Sequence, residues 1–336
     1  MSLLCEYDRG ADYEGNFTFS DEFLDFIDKV KPEILLRNCG FSFSEESDCT
    51  KLFTPLIADE GICYSFNILD RSEIFQESVT HYQDFHKSDN ATNWSLEGGY
   101  TSDAGYPSRT FSAAVSKGLS LNIFLPDDDL DLACISSVRG YKILVHAPTD
   151  IPLLGEEYIR VSLSQSVVVV IQPYMITTSS SIKKYSPKKR GCYFREERYL
   201  KYFQTYTAES CKLECLTNFT LEFCGCVHFF MPRENNTKIC GSANITCMEK
   251  VDSTSAVYTD EDCDCLLRCS DLNYEVSMSA SEINYIYAAR KASRFNNTYY
   301  MTSLTFYFQS DDFITSQRNE FYGPTDFLPN LGELVG

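Results

Sequence analysis

Cys211-Lys-Leu-Glu-Cys215-Leu-Thr, Cys224-Gly-Cys226-Val-His-Phe-Phe-Met231-Pro232-Arg233 and Cys263-Asp-Cys265-Leu-Leu-Arg-Cys269 are pieces of one stretch whose spacing decides the fold. Ten cysteines lie between Cys192 and Cys269, and their spacing is nearly mirror-symmetric. Pairing outermost with outermost gives Cys192–Cys269, Cys211–Cys265, Cys215–Cys263, Cys224–Cys247 and Cys226–Cys240. Thr207 is a candidate helix cap. It would place Cys211 and Cys215 on one helical face, about 6 Å apart along the axis. Cys263 and Cys265, two residues apart, fall on one face of an extended segment about 6.6 Å apart. A helix and an extended segment running antiparallel bring both pairs into register. The outermost bridge closes a loop of about 80 residues, worth about 4 to 5 kcal/mol in the chain-entropy picture. Five such rungs make a stiff rod of a segment with a modest apolar core.

The rest of the composition agrees with an oxidising compartment. The 336-residue chain carries 15 cysteines, too many for a reducing cytosol unless they hold metal. Sequons stand at Asn16, Asn90, Asn93, Asn218, Asn235, Asn244 and Asn296, and seven beside a cysteine framework favour a glycosylated protein of the secretory pathway. Zinc is the competing reading of the sulfurs. The stretch lacks the paired C-x2-C knuckles of common structural sites, and three sequons lie inside it. An apolar fraction of 43%, with 22 Tyr and 24 Phe, is enough to bury a core. The net charge of −19 excludes nucleic acid as a partner, since that needs a basic surface. Residues 1–10 show no signal peptide, and the longest aliphatic run, Val167 to Ile171, is far short of the ~20 residues of a spanning helix. A secretory protein without an entry signal implies further sequence upstream.

Along the chain, residues 20–38 read as a helix, with Asp21 as cap, Phe23, Leu24, Phe26, Ile27 and Val30 at helical spacing, and Pro32 interrupting or restarting it. Residues 70–110 are polar and read as loop-rich exterior. From 111 to 182 the texture is strand-like. Leu119, Leu121, Ile123 and Leu125 alternate, Tyr141 to His146 is a short apolar strand, and Val167 to Ile171 reads as a strand buried on both faces. Met301 to Phe308 alternates again. The basic cluster Lys183, Lys184, Lys188, Lys189 and Arg190 reads as an exposed linker.

Together the quoted cysteine motifs resemble the thumb of the degenerin/epithelial sodium channel family, most closely its insect pickpocket-type subunits. Gly61-Ile-Cys63-Tyr-Ser-Phe66-Asn67 resembles that family's G-x-C-[YF]-[ST]-F-N segment. Gly140-Tyr-Lys-Ile-Leu-Val-His146-Ala-Pro148 resembles its palm strand. The resemblance runs from about Cys39 to about residue 330. It implies an α+β, disulfide-rich channel ectodomain: a mixed β-sheet palm, a β-ball, a helical finger and a helical, disulfide-laddered thumb. On that pattern 1–110 is finger and part of the β-ball and knuckle, 111–182 palm and β-ball strands, 183–275 the cysteine-rich thumb, and 276–336 the returning palm strand and the approach to a second membrane helix. It further implies a Cys39–Cys49 finger bridge. Cys63 is left without its partner, which in the family lies upstream with the first membrane helix. Cys5 and Cys134 have no assigned pairing, a bond between the two being one option. Asp326-Phe-Leu-Pro-Asn-Leu-Gly332-Glu-Leu-Val-Gly336 resembles the approach to the second membrane helix, with Pro329 and Glu333 as departures.

The family implies the extracellular side of the plasma membrane, a homo- or hetero-trimer, sodium ions in the complete channel, sensitivity to amiloride, and gating by ligand, protons or load. Selectivity comes from pore-lining groups, and this chain stops short of them, so its expected share is stimulus sensing and subunit assembly. Acidic runs are the candidate sensing groups: Asp127, Asp128, Asp129 and Asp131; Asp260, Glu261, Asp262 and Asp264; Asp311 with Asp312. Crowded carboxylates share protons, although such runs in loops are commonly just solvated. No enzyme is expected. His81, His86, His146 and His228 show no H-E-x-x-H spacing, and there is no G-x-S-x-G or P-loop. No cofactor or metal is expected. The alternative is a secreted binding module of the same stapled fold with no channel activity.

Overall fold

A computed structural model describes residues 18–31, 34–42, 44–46, 49–80, 82, 85, 92, 94–100, 105–130, 138–155, 157–255, 263–284 and 299–320. The first elements are strand β1 (Thr18–Phe19) and helix α1 (Glu22–Val30). Phe23 and Ile27, one turn apart, are the buried face of α1. The helix does not reach residue 38. Lys31, directly before Pro32, is extended at φ −60° and ψ 142°, as a residue preceding proline prefers. The chain then runs into strand β2 (Leu35–Phe41). Asp21 does not cap α1; its carboxylate is instead ion-paired with the buried guanidinium of Arg233.

Strand β3 (Ser44–Glu46) folds back on β2. Strands β4 (Phe53–Ala58) and β5 (Gly61–Phe66) form a separate hairpin. Helix α2 (Arg71–Ile74), capped by Asp70, and strand β6 (Val79–Thr80) follow. This region is not all exterior: Ile74, Phe75, Val79 and Phe85 are buried among the aromatic residues around Tyr202 and Phe203, and Tyr82 is buried with its hydroxyl donating to Asp28.

Strand β7 (Leu119–Pro126) buries the alternating Leu119, Leu121, Ile123 and Leu125. Strand β8 (Tyr141–Ile143) is shorter than its apolar run and pairs with β9 (Ile159–Val161) in a hairpin of its own. The long strand β10 (Gln165–Thr178) is hydrogen-bonded on both edges but covered on one face only. Val167 and Val169 are buried, whereas Val168, Val170 and Ile171 are half-buried. Helix α3 (Pro187–Arg190), strand β11 (Cys192–Tyr193), helix α4 (Ala208–Cys224), strands β12 (Arg233–Glu234) and β13 (Ile239–Cys240), helix α5 (Ile245–Ser255) and strand β14 (Leu267–Arg268) make up the cysteine-dense region. Strands β15 (Asp271–Glu282), β16 (Tyr299–Phe308) and β17 (Thr315–Arg318) complete the chain.

The main sheet is mixed and seven-stranded. Its order is β15-β10-β16-β7-β2-β3, with β17 also on β10. Strand β10 is antiparallel to β15 through twelve consecutive partners, from Gln165↔Glu282 to Ile176↔Asp271. On its other edge it takes β16 in parallel at Ser166–Ile171 and β17 in parallel at Met175–Thr178. The sheet thus joins strands from distant parts of the sequence, and the cysteine-dense region is inserted between β10 and β15. β15 passes unbroken through residues 275 and 276. One core covers the sheet through Leu121, Ile123, Val167, Val169 and Leu304. A second lies between α4 and the aromatic loop before it, and a third joins α1 to α5.

Candidate functional site

Helix α4 owes its start to Thr207, whose Oγ1 accepts from the Ser210 amide at 2.9 Å. It ends at Gly225, left-handed at φ 70°, whose amide donates to Leu221. Along its face Cys211 is bonded to Cys265 and Cys215 to Cys263, with Cα–Cα separations of 5.6 and 5.9 Å. Cys224–Cys247 ties α4 to α5, and Cys226–Cys240 closes the far end. The segment facing α4 is not extended throughout, because Asp264 sits at φ 52°. The turn is held by the Tyr193 hydroxyl donating to Asp264 and the Tyr206 hydroxyl donating to the Leu266 carbonyl. All ten sulfurs are in S–S bonds.

The outermost bridge, Cys192–Cys269, lies where the ladder meets the sheet. Thr178, the last residue of β10, donates its hydroxyl to the Cys269 carbonyl at 2.7 Å, and β15 begins at Asp271. The ladder is thus joined to the paired strands β10 and β15 through a short length of chain and one hydrogen bond.

Beside this joint is an ionic cluster. Arg268 donates from Nε and Nη2 to one oxygen of Asp271, at 3.1 and 2.8 Å, and both side chains are about nine-tenths buried. Asp150 and Glu209 face the same guanidinium. Burial pushes the Asp150 carboxyl above its ordinary range, partly offset by Arg268 and the Thr149 and Thr207 hydroxyls. Burial also raises Glu209, and the charge of Asp150 adds to it. Asp150 lies beside Thr207, the cap of α4. A cavity of about 500 Å³ opens here, lined among others by Leu144, His146, Asp150, Glu209, Leu213 and Tyr274. His146 lies beyond the end of β8. Its Nε2 is 2.9 Å from Ser65 Oγ and its Nδ1 2.9 Å from the Ala147 carbonyl, and burial lowers its pKa, so the ring is neutral. His228 packs between Phe229 and Phe230.

Asp150, Glu209, Arg268 and Asp271 escaped sequence reasoning because no local run marks them. The one available signal was an arginine inside the ladder spacing, Cys265-Leu-Leu-Arg-Cys269. The runs it did single out lie elsewhere. Asp127, Asp128 and Asp129 form an exposed turn, with Asp127 accepting from Tyr300 at 2.8 Å. Asp311 accepts from the Ala113 amide, and Asp312 is exposed. Asp131, Asp260, Glu261, Asp262, His81, His86, Cys5, Cys134 and 326–336 lie outside the described residues. So do Asn16, Asn90, Asn93 and Asn296. Asn218 and Asn235 are exposed, while Asn244 is half-buried with its carboxamide oxygen enclosed. Cys39–Cys49 joins β2 to the turn before β4. Cys63 is a free thiol pushed up to about 12 by burial, then by Asp59 and Glu60. The basic cluster is not a slack linker: Arg190 is internal, ion-paired with Glu197 and donating to the carbonyls of Tyr185 and Cys192.

Among the described residues no helix is long and apolar enough to cross a membrane. Residues 4–336 match the family model for the amiloride-sensitive sodium channel. The chain belongs to that family, whose members are ion channels and not enzymes. They form multi-subunit, sodium-conducting channels of the plasma membrane. Pickpocket protein 28 of Drosophila melanogaster is 27% identical over 99% of this chain and 58% of its own length. Sodium channel protein Nach of the same fly is 26% identical over 77% of this chain and 46% of its own length. Pickpocket protein 11 is 27% identical over 57% and 36%. The chain spans about half the length of the curated relatives it matches.

Proposed function

We propose that this chain is the extracellular portion of a sodium-channel subunit, in which the cystine ladder works as a lever on the main sheet. On this reading the seven-stranded sheet is the palm, and α4, α5 and the ladder are the thumb. The hairpins β4–β5 and β8–β9 belong to the β-ball region, and the complete subunits assemble as trimers on the outer side of the plasma membrane. The observation that carries it is the Cys192–Cys269 bridge placed against the ends of β10 and β15. Such a joint passes displacement with little loss, because neither the bridged helix nor the paired strands can deform continuously.

The ionic cluster of Asp150, Glu209, Arg268 and Asp271 is the place where a stimulus acts. A proton or a ligand that changes the charge there alters both the cap of α4 and the anchor of β15. The test is sodium current from the complete subunit carrying this ectodomain, with Asp150→Asn and Arg268→Met compared with the unaltered subunit. Altered gating with normal surface delivery supports the lever. A complete product that is secreted and carries no current would overturn the channel reading in favour of a soluble binding module.

A further inference from the structure

The basic segment between β10 and α4 carries charges that the lever leaves unassigned. Arg190 folds it into a fixed loop, and Gly191, left-handed at φ 70°, ends α3. Lys184 is paired with Glu320 at 2.6 Å. Lys183, Lys188, Lys189 and Arg195 are exposed, and among the described residues none has a carboxylate partner. Two of the lysines rest on aromatic rings. Lys189 Nζ is 4.7 Å from the Tyr185 ring centre and Lys183 Nζ 5.5 Å from that of Phe194.

The position of this face is also defined. The Ser179 amide donates to Arg318 at 2.9 Å, and Lys184 meets Glu320, so the lysines sit at the end of the sheet where the last described residues leave it. The acidic turn Asp127–Asp129 follows β7 at the opposite end, beyond the start of β10. The 14 residues of β10 separate the two ends by about 45 Å. An acidic turn and a basic loop thus stand at opposite ends of β10.

We propose that the face formed by Lys183, Lys188, Lys189 and Arg195, with Tyr185 beside it, docks on the phosphate-bearing headgroups of a membrane surface. Lysines interleaved with aromatic rings suit that interface, where the ring lies at headgroup level and the ammonium reaches phosphate. The orientation rests on the channel reading, which puts residues beyond 320 on the way to the membrane. Docking would hold the end of the sheet at which the outermost rung of the ladder meets Thr178.

The test uses the oxidised 336-residue chain and sedimentation with vesicles. Vesicles of phosphatidylcholine with roughly 30% phosphatidylglycerol are compared with pure phosphatidylcholine at low and high salt, and each cation is worth about fivefold in partitioning. The expected result is salt-sensitive binding to the anionic vesicles that weakens at least tenfold in Lys183→Glu/Lys188→Glu/Lys189→Glu. Lys201→Glu, outside the face, and added inorganic phosphate should leave it unchanged. Equal binding by chain and triple variant, with matching thermal midpoints, overturns the proposal. So does retention on heparin without vesicle binding, or a variant that changes only self-association. Sodium current from the complete subunit separates the two readings: current without vesicle binding removes this inference alone, and vesicle binding without current removes the channel reading.

Discussion

Removing one rung at a time tests whether the ladder behaves as a nested set or as five separate loops. The isolated-loop estimate uses the full sequence separations, 77 for Cys192–Cys269 and 54 for Cys211–Cys265. It gives about 4.5 and about 4.2 kcal/mol, nearly the same cost. In a nested set the neighbouring bridge short-circuits each loop. With Cys211–Cys265 intact, the path closed by the outermost bridge is the difference of the two separations, about 23 residues, worth about 3.4 kcal/mol. The Cys215–Cys263 bridge, of separation 48, leaves only about 6 residues for Cys211–Cys265 to close, worth about 2.2 kcal/mol. Paired replacement by alanine should therefore cost about 1 kcal/mol more at the outermost rung than at its neighbour, read from urea unfolding. The four cysteines are all at most 5% exposed, so lost packing contributes similarly to both. Equal costs, or a larger cost at Cys211–Cys265, would refute the nested reasoning.

Thr207→Ala should destabilise the chain by about 1 to 2 kcal/mol through loss of the α4 cap, with Thr207→Ser largely preserving it in a thermal melt. The raised carboxyls of Asp150 and Glu209 mean that the folded state holds their protons above the usual carboxylate range. Their contribution to stability is present at low pH and lost as pH rises through the folded values. Asp150→Asn should flatten that part of the stability-versus-pH curve, and an unchanged slope would contradict the assignment. Gly118→Ala would set a methyl group 1.8 Å from the Phe306 carbonyl oxygen. It should cost about 1 to 3 kcal/mol or more, seen as a lowered urea midpoint. Cys63, half-buried and with its thiol pushed up to about 12, should react slowly with iodoacetamide at mildly alkaline pH until the chain is unfolded; labelling of the folded chain as fast as of the unfolded one would contradict that raised value.

Local geometry was the part legible from residues alone. The four-residue step of Cys211 and Cys215, the Thr207 cap and the alternation in β7 depend on neighbours in sequence. Where the reading ran past its evidence, a tertiary partner decided the outcome. The helix read over 20–38 stops at Val30, because Pro32 breaks it and Leu35–Phe41 finds β7 as a strand partner. Val167 to Ile171 looked buried on both faces because both its edges are hydrogen-bonded, which periodicity cannot separate from both faces being covered. The ionic cluster was invisible because its members stand at positions 150, 209, 268 and 271 and meet only when α4 packs across the head of β15. Arg190 was read with its basic neighbours, although its guanidinium is internal and theirs are not.

The lever depends on the sulfurs between 192 and 269 being joined in concentric order. Peptide mapping of the non-reduced chain should recover Cys192 with Cys269, Cys211 with Cys265, Cys215 with Cys263, Cys224 with Cys247 and Cys226 with Cys240. Free thiols in that span, a stoichiometric bound zinc, or bridges between sequential cysteines would contradict it.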